Sequence, residues 1–187
     1  MKTLRRLLAA IFVAVATDAT APATAAETVI PLPAASTRLA IRAARMIDGR
    51  SERLHREAVV IVEGERIVAV GGNELLTPGL ETLDLGDATL MPGLVDAHSH
   101  PLITVDDYQT DHLRHSSAYK ALRGLKAVQD NLRAGWTTLR IAGDADVAYA
   151  VTDLRKAIDG GLFLGPRLSG AAHYLSTTGG GGDINFL

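Results

Sequence analysis

The 187-residue chain has no cysteine, which excludes disulfides and thiolate metal ligands together. Its stability must come from packing, and any metal it binds must be held through nitrogen and oxygen. It has no long basic run and no aromatic-basic cluster, and aromatic residues make up only 4% of it, so a nucleic-acid partner has no support. The apolar run Leu7 to Ala16 is well short of the roughly 20 residues that span a bilayer, so no stable membrane anchor is expected. What is present is ordinary for a globular protein with a core: 47% hydrophobic and 21% charged residues.

The N-terminus has a different character. Lys2, Arg5 and Arg6 precede the apolar run, and a small-residue stretch containing Ala23-Thr-Ala25 follows it. This is the layout of a secretory signal peptide over residues 1–26, cleaved near Ala25 or Ala26, and it predicts a secreted or periplasmic protein. Cleavage removes three of 19 basic residues and one of 21 acidic ones, leaving 16 against 20 and a formal charge of −4. Residues 27–37, with Pro31 and Pro33, read as an extended linker.

Over residues 38–92 the pattern is that of short strands. Leu39 to Met46, Ala58 to Val62 and Arg66 to Val70 are predicted strands, the last two forming a hairpin across Glu63-Gly64-Glu65. Leu83-Asp-Leu adds another before Gly86-Asp87. From residue 93 onward the rhythm becomes strand, helix, strand, helix, strand. Helices are predicted over Ser117 to Ala134 and Val147 to Ile158, with strands at Leu94, over Thr137 to Ile141 and from Pro166. Alternation of this kind defines an α/β fold with a parallel sheet.

The segment Leu90-Met-Pro-Gly-Leu-Val-Asp-Ala-His98-Ser-His100 is the most informative in the chain. Pro92-Gly93 restarts the chain as a strand, Leu94-Val95 form its apolar part, and the two imidazoles fall at its C-terminal end. Side chains at i and i+2 of a strand share a face, so both rings can reach one metal ion. By residue type alone, a His-x-His pair is equally a pair of satisfied polar groups or a solvated edge. Asp96 shares the face of His98 and either orients a ligand from behind or caps local N–H groups. His112 and His115 lie among Asp107, Asp111 and Arg114 and read as a solvated loop. Arg140 and His173 fall near the ends of the second and third strands, where they can face a substrate. The run Gly179 to Gly182 lacks the Lys-Ser/Thr of a phosphate loop.

The whole string resembles the metal-binding signature of the amidohydrolase superfamily. Leu132-Arg-Ala-Gly-Trp-Thr-Thr-Leu-Arg140, Leu154 to Leu162, Gly165-Pro-Arg-Leu-Ser-Gly170 and Thr178-Gly-Gly-Gly-Gly-Asp183 narrow it toward the prolidase-like and imidazolonepropionase-related members. The resemblance implies a small β-sandwich module over residues 38–92. It also implies the N-terminal part of a TIM-type (βα)8 barrel over residues 93–187, about three of its βα units. His98 and His100 become metal ligands, and a divalent cation, Zn²⁺ first among candidates and one or two ions in the intact enzyme, becomes the cofactor.

The activity implied is hydrolysis of carbon–nitrogen bonds in a small amide or dipeptide, Xaa-Pro dipeptides among them, by metal-activated water; a homo-oligomer is compatible with it. No catalytic acid or base falls within the segment, because the superfamily's bridging Lys, two further His and an Asp belong to later strands. From Leu94 on there are 94 residues, against about 250 for a barrel, so the alternative is a non-catalytic remnant or weak metal binder. Two positions depart from the pattern: Gly181 stands where relatives often have His, and Ile141 where an Asp commonly follows the Arg.

Overall fold

In the computed structural model, residues 11–14 and 38–183 are described. The chain divides into two compact units, residues 1–92 and 93–187, and the boundary falls between Pro92 and Gly93. The predicted signal peptide and linker lie outside the described residues, except for the backbone of Ile11–Ala14.

The first unit is one hydrogen-bonded sheet of six strands: β1 (Ile11–Ala14), β2 (Arg38–Ile47), β3 (Leu54–Glu63), β4 (Arg66–Gly71), β5 (Glu81–Asp84) and β6 (Thr89–Pro92). β2 and β3 pair antiparallel from Arg38↔Glu63 to Ile47↔Leu54. β4 returns across the turn at Gly64, whose φ of +59° suits glycine. The other side of β2 is shared, Leu39–Arg42 with β5 and Arg45–Met46 with β6, both parallel. Alternation along β2 and β3 explains the core. Leu39, Ile41, Ala43, Val60 and Val62 join Met46 and Leu90 on one face, while Ala40, Val59 and Ile61 meet Leu75, Leu76 and Leu80 on the other.

The second unit is a parallel sheet ordered β7 (Leu94–Ser99), β8 (Trp136–Ala142), β9 (Arg167–Ala171). Helices α1 (Tyr108–Arg114) and α2 (Ser117–Arg133) separate β7 from β8, and α3 (Ala150–Asp159) separates β8 from β9. Ser116 caps α2 through the N–H of Tyr119, and the helix stops before Gly135, φ +97°. The apolar stripe of α2 and α3 buries Val128, Val151 and Leu154 against Leu139, Ile141 and Leu168 of the sheet and Leu102 after β7. Thr138, in register with Val95 and Arg167, lies on the opposite face of the sheet.

Two local differences from the sequence reading have physical causes. Residues 108–114 form a helix rather than a solvated loop, because Asp107 caps it through Thr110 N–H, and Asp111 is ion-paired to Arg123 of α2. α3 starts at Ala150 rather than Val147, because the Asp146 carboxylate takes the N–H groups of Ala148 and Ala150 and holds the intervening turn outside the helix. Among the described residues, no helix is long and apolar enough to cross a membrane.

Candidate metal centre

β7 ends at Ser99, and its pairing with β8 shifts register between Asp96 and Ser99. His98 is therefore the last outward residue of the strand and His100 the first beyond it. Despite the irregularity the rings converge: Nε2 of His98 lies 3.0 Å from Nε2 of His100, with ring centroids 4.9 Å apart. Two imidazole nitrogens bound to one tetrahedral Zn²⁺ at 2.0–2.1 Å would lie about 3.3 Å apart. The pair thus fits two positions of a divalent ion's coordination shell. Among the described residues no group of three or more His, Cys, Asp or Glu gathers that could hold an ion.

The loop after β8 holds the pair from behind. The carbonyl of Gly143 lies 2.7 Å from Nδ1 of His100. A carbonyl can only accept, so Nδ1 carries the hydrogen and the lone pair of Nε2 is left for a metal or for the Nε2–H of His98. The phenol of Tyr174, beyond β9, lies 3.0 Å from the same Nδ1. Next in the loop, fully buried Asp144 takes the N–H of Leu102 on both oxygens, at 3.1 and 3.0 Å, and its own neighbour's N–H at Ala145. Burial pushes the Asp144 carboxyl up to about 6 against the pull of those N–H groups. Burial likewise pushes the Tyr174 phenol up to about 12, with the Asp144 charge adding to it, so the phenol stays protonated.

Deeper still, Lys120 and Asp146 form an ion pair at 2.6 Å with both side chains 2% exposed. The ammonium also donates to the Ala145 carbonyl at 3.1 Å and meets Nδ1 of His112 at 2.8 Å, while Ser117 donates to Asp146 at 2.7 Å. Burial works against ionisation of Asp146, but Lys120, Ser117 and the N–H of Ala150 outweigh it and hold the carboxyl below its ordinary range. Burial and the Lys120 charge together lower the His112 pKa.

The other sequence-predicted residues are placed as follows. The Asp96 carboxylate accepts the N–H of His98 at 3.0 Å. Arg140 is exposed on β8 and reaches the Ala97 carbonyl at 3.4 Å. His173 donates from Nε2 to Ala148 O at 2.8 Å, with its ring edge-on to Tyr149. Gly181 accepts from the Tyr108 hydroxyl at 3.0 Å through its carbonyl. Gly143, Asp144, Lys120, Asp146 and Tyr174 escaped the sequence reading. Their partners lie far along the chain, and no local motif marks them.

Residues 89–185 match the amidohydrolase family, and the chain belongs to that family. Ochratoxinase from Aspergillus niger is 33% identical over 152 residues, which cover 77% of this chain and 30% of that protein. Imidazolonepropionase from Fusobacterium nucleatum subsp. nucleatum is 38% identical over 53 residues, 26% of this chain and 13% of that one. A prolidase solved in complex with N-methylphosphonate-L-proline superposes with a TM-score of 0.68 at 31% identity, over 79% of this chain and 35% of the other. The chain therefore spans about a third of the length of these longer relatives.

Proposed function

We propose that this chain is the N-terminal part of an exported, metal-dependent amidohydrolase that cleaves carbon–nitrogen bonds of small amides or dipeptides, Xaa-Pro dipeptides among them. In this reading residues 38–92 belong to a β-sandwich module. Residues 93–187 supply the first three strands of a (βα)8 barrel, whose sites lie at the strands' C-terminal ends. The single observation that supports it best is the convergence of the His98 and His100 Nε2 atoms at 3.0 Å, with His100 anchored through Nδ1 to Gly143.

His98 and His100 would hold a divalent cation, Zn²⁺ first among candidates. Bound there, such an ion would lower the pKa of water to near neutrality and would polarise a carbonyl. The protein's own part is orientation. Gly143 fixes the His100 tautomer, Asp144 ties down the backbone at Leu102, and Asp96 sets the backbone at His98. Arg140, exposed on the open face of the sheet, is suited to pair with a substrate carboxylate, and His173 stands after the neighbouring strand. The alternative, a non-catalytic remnant or weak metal binder, is favoured by one observation: only two candidate ligands converge among the described residues.

Calorimetric titration of the 187-residue chain with Zn²⁺, beside hydrolysis of proline-terminated dipeptides by a polypeptide that carries this chain at the length of its relatives, separates the readings. The expected result is one Zn²⁺ site on the chain, lost in His98→Ala and His100→Ala, and turnover by the longer polypeptide that both substitutions abolish. Turnover that persists in both variants would overturn the proposal, and binding without turnover would favour the remnant.

A further inference from the structure

The phenol of Tyr174 is not used by the reading above, yet it is built into the site from three sides. Its ring lies 5.8 Å from that of His100, centroid to centroid. It packs so closely on Gly143 that a Cβ there would lie 2.3 Å from Cδ1 of the ring, and a Cβ on Gly182 would lie 2.8 Å from its Cβ. Two backbone positions without side chains thus leave the space the tyrosine fills. Its hydroxyl then stands 3.0 Å from Nδ1 of His100, beside the Gly143 carbonyl at 2.7 Å.

Since the Gly143 carbonyl cannot donate, Nδ1 is the donor, and the Tyr174 oxygen is a second acceptor for the same N–H. The carbonyl, which can never donate, selects the tautomer that leaves Nε2 bare, and in that tautomer the phenol serves as the second acceptor. The ring meanwhile blocks sideways movement of the Gly143 backbone that would release His100.

We infer that Tyr174 is a positioning residue for His100: ring and hydroxyl together hold the imidazole as its Nδ1–H tautomer, Nε2 lone pair already aimed at the point where His98 converges. The inference rests on the reading of His98 and His100 as ligands. Outer partners of metal-bound histidines typically contribute 10–100-fold in affinity. The phenol, as one of two acceptors, belongs at the lower end, about tenfold.

The test compares the 187-residue chain with Tyr174→Phe, which keeps the ring, and Tyr174→Ala, which removes both parts. The His100 tautomer is read from ¹⁵N-histidine NMR without metal, and Co²⁺ is then titrated as the probe. The Nδ1–H form should dominate in the native chain and lose population in Tyr174→Phe. Co²⁺ affinity should fall about tenfold in Tyr174→Phe and further in Tyr174→Ala. An unchanged tautomer ratio in Tyr174→Phe overturns the inference. So does a ratio that shifts only in Tyr174→Ala, which would leave the ring as mere packing. Because the tautomer is read without metal, failure of the native chain to bind Co²⁺ counts against the metal reading alone, and the NMR comparison still decides the role of Tyr174.

Discussion

Gly143 occupies φ +100°, outside the region that residues with a side chain readily adopt, and its missing Cβ is where the Tyr174 ring sits. Gly143→Ala therefore combines backbone strain of roughly 1–3 kcal/mol with a steric clash. The expected outcome is a lower urea midpoint and weakened Zn²⁺ binding, since the carbonyl that holds His100 belongs to the same residue. In Gly143→Ala/Tyr174→Ala the clash is gone, so the pair should cost less than the sum of its members. Strict additivity in urea unfolding would show that ring and glycine are energetically independent. At this scale the histidines are legible in sequence because they are neighbours in sequence. Their supports are not: Gly143 is 43 residues and Tyr174 74 residues from His100, and only the βαβ topology brings them to one strand end.

The loop after β8 is an element stabilised by a buried charge pair. Burying Lys120 and Asp146 together is tolerable because each satisfies the other, with Ser117, His112 and Ala145 taking their remaining bonds. Asp146→Asn leaves the ammonium buried without its counter-charge and should cost about 3–5 kcal/mol in thermal or urea unfolding. The pH dependence has a definite sign. The folded-state pKa values of Asp146 and of Asp111, which accepts a hydrogen bond from Arg123, are depressed. Their stabilisation is thus complete above the unfolded-state value near 4, and it is lost as pH falls through the lower folded values. Asp146→Asn should flatten this acid limb as well as lower the plateau, and an acid limb unchanged from the native chain would assign it to other carboxylates. The elements themselves follow the sequence closely where periodicity is strong, as over β2 and α2, whereas β3 begins at Leu54, four residues before the apolar run that marks it. α1 has a polar composition with no apolar stripe to mark it in the sequence; its helix is held by the Asp107 cap and the Asp111–Arg123 pair, which no local pattern reveals.

At the scale of the whole molecule, both units have outer strands with one edge unpaired among the described residues. β4 is an outer strand of the first sheet, with Ile67, Val68 and Val70 exposed; β7 and β9 are the two edges of the second, with Val95 63% exposed. Parallel sheets are ordinarily covered on both faces, yet Val95, Arg140 and Arg167 lie exposed on the second unit's sheet. Free edges with apolar side chains are templates for pairing with another chain. The pairing of β3 with β4 shifts between Ile61 and Val62, which leaves Val68 as the extra residue of a bulge. A charge there interferes least with the existing ladder and most with a new one. The 187-residue chain should therefore self-associate with rising concentration in sedimentation velocity, and Val68→Lys should shift that onset to higher concentration while leaving the thermal midpoint nearly unchanged. Association that Val68→Lys leaves untouched but Val95→Lys suppresses would place the contact on β7 instead. A single monomeric species at every concentration would show that neither edge recruits a second copy.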